Sequence, residues 1–372
     1  MKIAFLITSY GWGGLEMNTI KLAKSLVKLN YEITLFTQKN ATIIDKKEDI
    51  FSSTVFIERN RKYFDFKTAK KIARSLQEKE INTIFIVDNK DLDVTAWGKA
   101  FYFKKLKIIY QQHMQIGIPK KDLLQTFRFN QIDKWITPLH YLKEEIKTQT
   151  KFNPNKITQI PIGVDTDTLF KNNPTKETAR LNFGFIETDF VVGIIGRISR
   201  KKGQLFVVES LKKELRNNSN LKLLIYGSAT VNDEDCQKYE KELHSFVKKE
   251  QLSKNVIFHP HSSTVSSFFK SIDLFVLASE SETYGMVTLE ALFHQIPVLA
   301  TKSGGTSNLL NQGEFGQLYD YGNQTDFLNK FKYIQDNYSK SKIQTSKGYD
   351  FAMKNYTLQV EASSIHQLIQ NL

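Results

Sequence analysis

Unbroken apolar runs recur along the chain, and each is followed by a stretch whose apolar positions fall at helical spacing. The first run covers residues 2–8 and the second 32–37; others lie at 81–87, 107–110 and 133–136. Short runs without polar alternation read as strands buried on both faces, as parallel sheets require. Between the first two, Ile20, Leu22, Ala23, Leu26 and Val27 carry a helical period across 15–29. Strands alternating with helices predict an α/β fold with a doubly wound parallel sheet.

Turn residues then interrupt the pattern, at Pro161-Ile162-Gly163-Val164-Asp165 and at Asn172-Asn173-Pro174. Beyond them it restarts. Strand-like runs occupy 190–195, 221–226, 256–259, 274–278 and 297–300, with a helix predicted over 204–215. Two similar α/β units are therefore expected, 1–170 and 171–355. A final helical segment follows, with Val360, Ile365, Leu368 and Ile369 on or near one stripe. No internal repeat or low-complexity tract stands out.

The length of 372 residues accords with about two domains. At 41% hydrophobic, the chain can bury sizeable cores. Its one cysteine, Cys236, excludes a disulfide framework and a thiolate metal cluster. The apolar start is too short for a secretory signal, and Gly11-Trp12-Gly13-Gly14 follows it without a small-residue cleavage site. No stretch approaches the roughly 20 apolar residues of a membrane span. The expectation is a soluble cytoplasmic protein.

The net charge of +13 is unevenly spread. Residues 1–150 carry 26 Lys/Arg against 16 Asp/Glu, a balance of +10; residues 151–372 carry 26 against 23, a balance of +3. The basic first half suits nucleic acid, anionic lipid or a phosphorylated substrate; a general lysine bias accounts for it equally well. Within it, residues 101–129 interleave lysines with Phe101, Tyr102, Phe103, Tyr110, Phe127 and Phe129. Such a mixture fits base stacking, an interfacial membrane patch, or simply lysine-coated faces of buried elements.

The densest chemistry lies at 279–291, where Glu282 and Glu290 are separated by seven residues with Tyr284-Gly285 between them. A strand-like run precedes and a helix follows, so amide groups at a helix start lie between two carboxylates, where anions bind. This suits a ligand with both hydroxyls and phosphates. The pair reads as a general acid and base, as acceptors for vicinal hydroxyls, or as a dipole-complementing Glu beside a core-edge one. Earlier, Gly196-Arg197-Ile198-Ser199-Arg200-Lys201-Lys202-Gly203 also joins a strand to a helix. There Arg197 can fork onto a phosphate and Lys202 can add a point charge. Ser303-Gly304-Gly305 reads best as an ordinary tight turn.

Gly11-Trp12-Gly13-Gly14-Leu15-Glu16 is not the dinucleotide fingerprint, because Glu16 takes the place of the third glycine, and no Gly-Lys-Ser/Thr makes it a P-loop. Dehydrogenase and ATPase readings lose their signatures. His113 closes a strand-like run and reads as a cleft histidine or a structural one. The close pair His259 and His261 has no metal spacing. Asp91/Asp93, Asp165/Asp167 and Asp233/Asp235 are weak metal signals.

Taken in order, these pieces resemble the retaining glycosyltransferases of family 4. The matching residues are Gly13-Gly14-x-Glu16, Gly196-Arg197…Lys202-Gly203, and Glu282-x-Tyr284-Gly285…Glu290-Ala291. Ile296-Pro297-Val298 and Gly304-Gly305 follow, and 163–170 is similar to the family's hinge. The resemblance covers nearly the whole chain. It implies a GT-B fold: two Rossmann-like domains facing across a cleft, with residues 356–372 crossing back to the first.

It also implies roles. Arg197 and Lys202 would bind a donor diphosphate, Glu290 the ribose and Glu282 the donor sugar. Backbone amides at Tyr284, Gly285 and Met286 would assist. Gly13 and Gly14 would close over the diphosphate, and His113 would face the transferred sugar. A nucleotide-sugar, UDP-linked above all, would serve as substrate rather than cofactor, with no metal needed in principle. The acceptor would be a cell-envelope glycan or glycolipid, with an anionic membrane surface as a further partner and nucleic acid excluded. An epimerase or phosphorylase of the same fold is the alternative, and a basic nucleic-acid-binding protein, which would leave Arg197, Lys202, Glu282 and Glu290 unused, is a remote third. Ser307-Asn308 stands where the family often has a carboxylate, and Gly227-Ser228-Ala229 where it often has Gly-x-Gly. Both departures bear on sugar and base preference.

Overall fold

The computed structural model describes all residues except 60–62, 172, 232, 261–264 and the side chain of Glu48. Asn172 of the expected break and His261 of the histidine pair therefore lie outside the described residues. The chain divides into two compact units, Met1–Gly163 with Thr357–Leu372, and Val164–Tyr356. The first division falls at 163/164 rather than 170/171. Helix Thr166–Lys171 belongs to the second unit, where Ser266 Oγ donates to the Leu169 carbonyl at 2.7 Å.

The first unit holds a seven-stranded parallel sheet. Its strands are β1 (Lys2–Leu6), β2 (Glu32–Thr37), β3 (Ser53–Phe56), β4 (Thr83–Ile86), β5 (Lys107–Gln111), β6 (Lys134–Thr137) and β7 (Ile157–Gln159). Their order is β3-β2-β1-β4-β5-β6-β7, every pairing parallel. The central strands are buried on both faces, which explains their continuous apolar sequence. Helix Gly14–Lys28 covers one face with Ile20, Leu22, Ala23 and Leu26. The terminal helix Leu358–Gln370 packs beside it, placing Ala362, Ile365, Leu368 and Ile369 in the same core. Burying its larger aliphatic side chains stabilises the unit by roughly 1.5–3 kcal/mol each relative to exposure.

The second unit repeats the plan with six strands. These are β8 (Phe190–Ile195), β9 (Leu221–Tyr226), β10 (Val256–His259), β11 (Leu274–Leu277), β12 (Val298–Thr301) and β13 (Gln317–Tyr319). Their order is β10-β9-β8-β11-β12-β13, again parallel throughout. In each sheet the winding reverses once, between β1 and β4 and between β8 and β11. The crevice at the carboxyl ends of such strands is where open α/β sheets take ligands. Among the described residues, no helix is long and apolar enough to cross a membrane.

Candidate functional site

In the second unit the reversal point is flanked by two loops, 196–203 after β8 and 278–285 after β11. The backbone ties them together: Glu280 N donates to the Lys201 carbonyl at 2.9 Å. Gly203 has φ +72, and a Cβ there would stand 2.4 Å from the Ala278 carbonyl oxygen. Only glycine allows that approach. Lys202, the residue before, directs its Nζ to Glu282 Oε2 at 2.8 Å. The two residues that the sequence assigned to diphosphate and sugar thus form one ion pair, each partly exposed.

Glu282 rests against the start of helix Met286–Phe293, its Cγ 3.6 Å from where a Gly285 Cβ would stand. Gly285 is the N-cap, in the left-handed region at φ +96. A helix N-terminus presents amide donors and a partial positive charge. The strand-to-helix turn therefore brings together a lysine, a carboxylate and a helix start. The Tyr284 side chain is buried, which leaves its backbone, not its ring, for the site. Met286 is half-buried in the first turn, and half-buried Glu290 follows on the second. The Glu290 carbonyl accepts from His294 N and His294 Nδ1, at 3.1 and 2.8 Å. Burial pushes the His294 pKa down to about 4, so the imidazole is neutral and its Nδ1 carries the proton.

Arg197 is exposed on the same loop. Its charge reaches toward Asp233, a carboxyl held low first by the N–H and thiol of Cys236 and then by Arg197. The structure pairs Lys202, not Arg197, with Glu282.

A third loop completes this edge and corrects the reading of Gly304-Gly305 as an ordinary turn. Gly304 has φ +50, and a Cβ there would fall 1.8 Å from the Glu282 carbonyl oxygen. Gly305 N donates to that same oxygen at 2.9 Å. The glycines let loop 303–305 press directly onto the backbone of Glu282. Sequence reading missed this because the close approach joins segments of two different strands.

In the first unit, Gly13 caps helix Gly14–Lys28 and donates its N–H to Glu16 Oε2 at 2.8 Å. Ser9 Oγ donates to Glu16 Oε1. Buried Glu16 therefore fastens both ends of the glycine loop, an organising role the sequence reading did not give it. The Gly-x-x-Glu spacing of a capping box was the available signal. His113 lies beyond β5, partly exposed, with its Nε2 atom buried and without a hydrogen-bond partner. Burial lowers its pKa to about 4, and the Glu16 carboxylate opposes that shift. His113 is a neutral imidazole at pH 7 with a buried ring nitrogen to offer.

Asp91 and Asp93, weak metal signals in the sequence, are fully buried in a network. Thr8 N and Thr8 Oγ1 donate to Asp91, the former at 2.9 Å, and Arg59 reaches it at 3.2 Å. Burial outweighs these bonds and raises the Asp91 pKa to about 6. Asp93 faces Arg128 at 3.6 Å. Asp91 ties the loop after β1 to the loop after β4 at the reversal point. Glu361, also unforeseen, accepts from Gln111 Nε2 and Gly163 N, both at 2.7 Å, and burial raises its pKa to about 7. Among the described residues, no group of three or more His, Cys, Asp and Glu could hold a metal ion.

Comparison with known proteins agrees with this layout. The chain is 29% identical to the capsular polysaccharide biosynthesis glycosyltransferase CapM of Staphylococcus aureus, over 49% of this chain and 46% of that protein. It is 24% identical to the N-acetyl-alpha-D-glucosaminyl L-malate synthase of Bacillus anthracis, over 87% and 85%. The fold superposes on Anabaena HepE, solved with UDP, at a TM-score of 0.86 with 20% identity and full coverage of both chains. The family model described as Glycosyltransferase Family 4 matches residues 12–168, and that described as Glycosyl transferases group 1 matches 175–351. With both halves matched in order, each on its own parallel α/β unit, the chain belongs to the group 1, family 4 glycosyltransferases of GT-B type.

Proposed function

We propose that this glycosyltransferase moves a hexose-type sugar, with retention, from a nucleoside-diphosphate sugar to a hydroxyl of a cell-envelope glycan or glycolipid. The observation that carries this reading is the Lys202–Glu282 pair at the start of helix Met286–Phe293, on the reversal point of the second sheet. A diphosphate accepts from a lysine and a helix N-terminus together, while a carboxylate accepts from sugar hydroxyls.

In the proposed step, the acceptor oxygen bonds to the anomeric carbon as the bond to the diphosphate oxygen breaks. The acceptor proton passes to the leaving phosphate on the same face, which preserves the anomeric configuration. Lys202, Arg197 and the amides at Tyr284–Met286 meet the charge that grows on the leaving group. Glu290 holds the ribose hydroxyls. Neutral His113 hydrogen-bonds the transferred sugar, and Gly13 and Gly14 approach the diphosphate. The reading uses no cofactor and no metal.

HepE was solved with UDP, which supports UDP as the nucleotide, and the name of CapM supports an envelope acceptor. The basic first half suits an acceptor presented at an anionic membrane face. A thermal-shift screen of nucleotide-sugars tests the donor, because a ligand bound only by the native state raises its stability. UDP-sugars are expected to raise Tm in the native protein, and less so in Lys202→Ala and Glu290→Ala. Equal shifts in all three would refute the site. Release of an epimer from UDP-sugar alone would refute transfer.

A further inference from the structure

The first unit has a polar recess of its own, which the candidate donor site leaves unused. It measures about 340 Å³ and lies where the loops leaving β4 and β5 meet helix Leu123–Asn130. Tyr63, Asn89, Lys90, Lys120, Asp122 and Arg128 line it. The recess therefore sits at the carboxyl edge of the sheet, beside the reversal between β1 and β4, where an open α/β unit takes its ligand. A space of this size suits one small polar molecule.

Two polar groups in its wall are incompletely bonded. Arg128 is only 2% exposed. Its Nη1 donates to Gln125 Oε1 and its Nη2 to the Asn89 carbonyl, both at 2.8 Å, while Nε stands 3.6 Å from Asp93 Oδ1. A guanidinium has five N–H donors, so each terminal nitrogen keeps one N–H without a partner among the described residues. The side-chain oxygen of Asn89 is buried and accepts no hydrogen bond among them either. Buried polar groups are ordinarily bonded, and these two are complementary: the N–H groups suit an anion's oxygens, and the Asn89 oxygen suits a hydroxyl.

The charge of the lining is mostly of one sign. Three cations, Lys90, Lys120 and Arg128, stand against Asp122, whose carboxylate already accepts from Gln125 N at 3.0 Å. Asp93 offsets part of the Arg128 charge from behind, but among the described residues neither Lys90 nor Lys120 has an ion-pair partner. Burial, and then the charge of Arg128, lowers the Lys120 pKa. An anion seated among the three would relieve that crowding.

The recess also shares its edge with the groups proposed above to meet the transferred sugar. The loop leaving β5 carries His113 as well as Lys120. Asp91, next to Lys90, accepts from Thr8 N at 2.9 Å, at the head of the loop that leads to Gly13.

We propose that this recess binds an anionic group, phosphate or carboxylate, on a hydroxyl-bearing acceptor: Lys90, Lys120 and Arg128 hold the anion, and Asn89 accepts from a hydroxyl beside it. The inference rests on the transferase reading and narrows its acceptor to an acidic or phosphorylated glycan. Binding in the recess needs no donor, so the two readings fail separately.

The test is isothermal titration calorimetry of the full chain with glucose 6-phosphate, glucuronate, glucose and inorganic phosphate. Native protein, Lys90→Ala, Lys120→Ala and Lys202→Ala are compared. Both acids are expected to bind the native protein and Lys202→Ala alike, and glucose to show no binding. Lys90→Ala and Lys120→Ala should each weaken the acids by roughly tenfold, the loss of one charge-assisted contact, with UDP affinity unchanged. The Lys90 side chain is exposed, so its variant decides the matter even where Lys120→Ala lowers the Tm. Failure of the native protein to bind either acid, or equal affinity in native protein, Lys90→Ala and Lys120→Ala, overturns the proposal. So does weakening by Lys202→Ala alone, which would return the anion to the candidate donor site. Inorganic phosphate binding as tightly as glucose 6-phosphate would assign the recess to free phosphate and overturn its acceptor role. Absence of any UDP-sugar shift alongside intact glucose 6-phosphate binding would sink the donor reading and leave the recess standing.

Discussion

Gly304→Ala tests how the candidate donor site is held in shape. The added methyl would stand 1.8 Å from the Glu282 carbonyl oxygen and 2.8 Å from its carbon. Ordinary non-bonded contacts lie near 3.5 Å, so the loops at 303–305 and 281–283 must part by roughly 1.5 Å. Parting them breaks the 2.9 Å bond from Gly305 N to Glu282 O. Three costs add. A left-handed φ costs alanine about 1–2 kcal/mol. Overpacking costs about 1–3 kcal/mol. The lost hydrogen bond costs about 1 kcal/mol.

A total of roughly 3–6 kcal/mol corresponds to a fall of about 10–20 °C in the Tm of the second unit. The same displacement carries the Glu282 backbone away from Lys202 and the helix start. Misplacement by about 1 Å costs on the order of a hundredfold in a positioned site, so turnover should fall by that order. Differential scanning calorimetry gives the first number, and UDP-sugar kinetics the second. An alanine variant with native Tm and native donor affinity would refute the claim that the glycine loop shapes the Glu282 turn.

Gly14→Ala makes the contrasting case. Nothing lies within 4 Å of its added methyl, and the residue opens a helix, so Tm should hold or rise while turnover falls. Full activity would show that no donor approaches that glycine. Lys202→Ala removes a charge-assisted contact worth about 1.5–3 kcal/mol, raising donor KM or lowering kcat by roughly ten- to a hundredfold; unchanged kinetics would remove it from the site. His113 is neutral well below pH 7, with a pKa near 4, so its titration should leave no inflection between pH 6 and 7 in kcat/KM. An inflection there that His113→Asn abolishes would contradict its burial.

Glu361 has a folded pKa of about 7 against 4.5 for the free group. The folded state therefore favours its proton. That contribution is full below pH 4.5 and is lost as pH rises to 7, by roughly 3 kcal/mol. Glu361→Gln lacks this slope, so its stability relative to the native chain should climb across that window. A constant offset in thermal unfolding would refute the shift.

Much of the fold was legible because parallel strands buried on both faces must be apolar throughout. β1, β2, β4, β5 and β6 each announce themselves, as do β8 to β12. The strands that escaped notice, β3, β7 and β13, are three or four residues long and lie at sheet edges. Their sequences, Ser-Thr-Val-Phe, Ile-Thr-Gln and Gln-Leu-Tyr, are only partly buried and carry polar residues, so no continuous apolar run marks them and only the neighbouring strand makes them strands. The 163/164 boundary escaped notice for a similar reason. It depends on Val164 N donating to the Tyr356 carbonyl at 2.8 Å, across a whole unit of sequence.

The candidate site divides along the same line. Residue type and local order alone placed Lys202 after one strand, and Glu282 and Glu290 around the turn of another. Strand ends, turn glycines and helix starts are set by neighbours within a few residues, so they survive in the sequence as motifs. What tertiary structure decided is how those motifs meet. The order β8-β11 makes two distant loops adjacent and pairs Lys202 with Glu282. Gly304 is pressed onto the Glu282 carbonyl, and burial sets the protonation of His113, Asp91 and Glu361. Close approach and desolvation depend on atoms far away in sequence, and no local pattern records them.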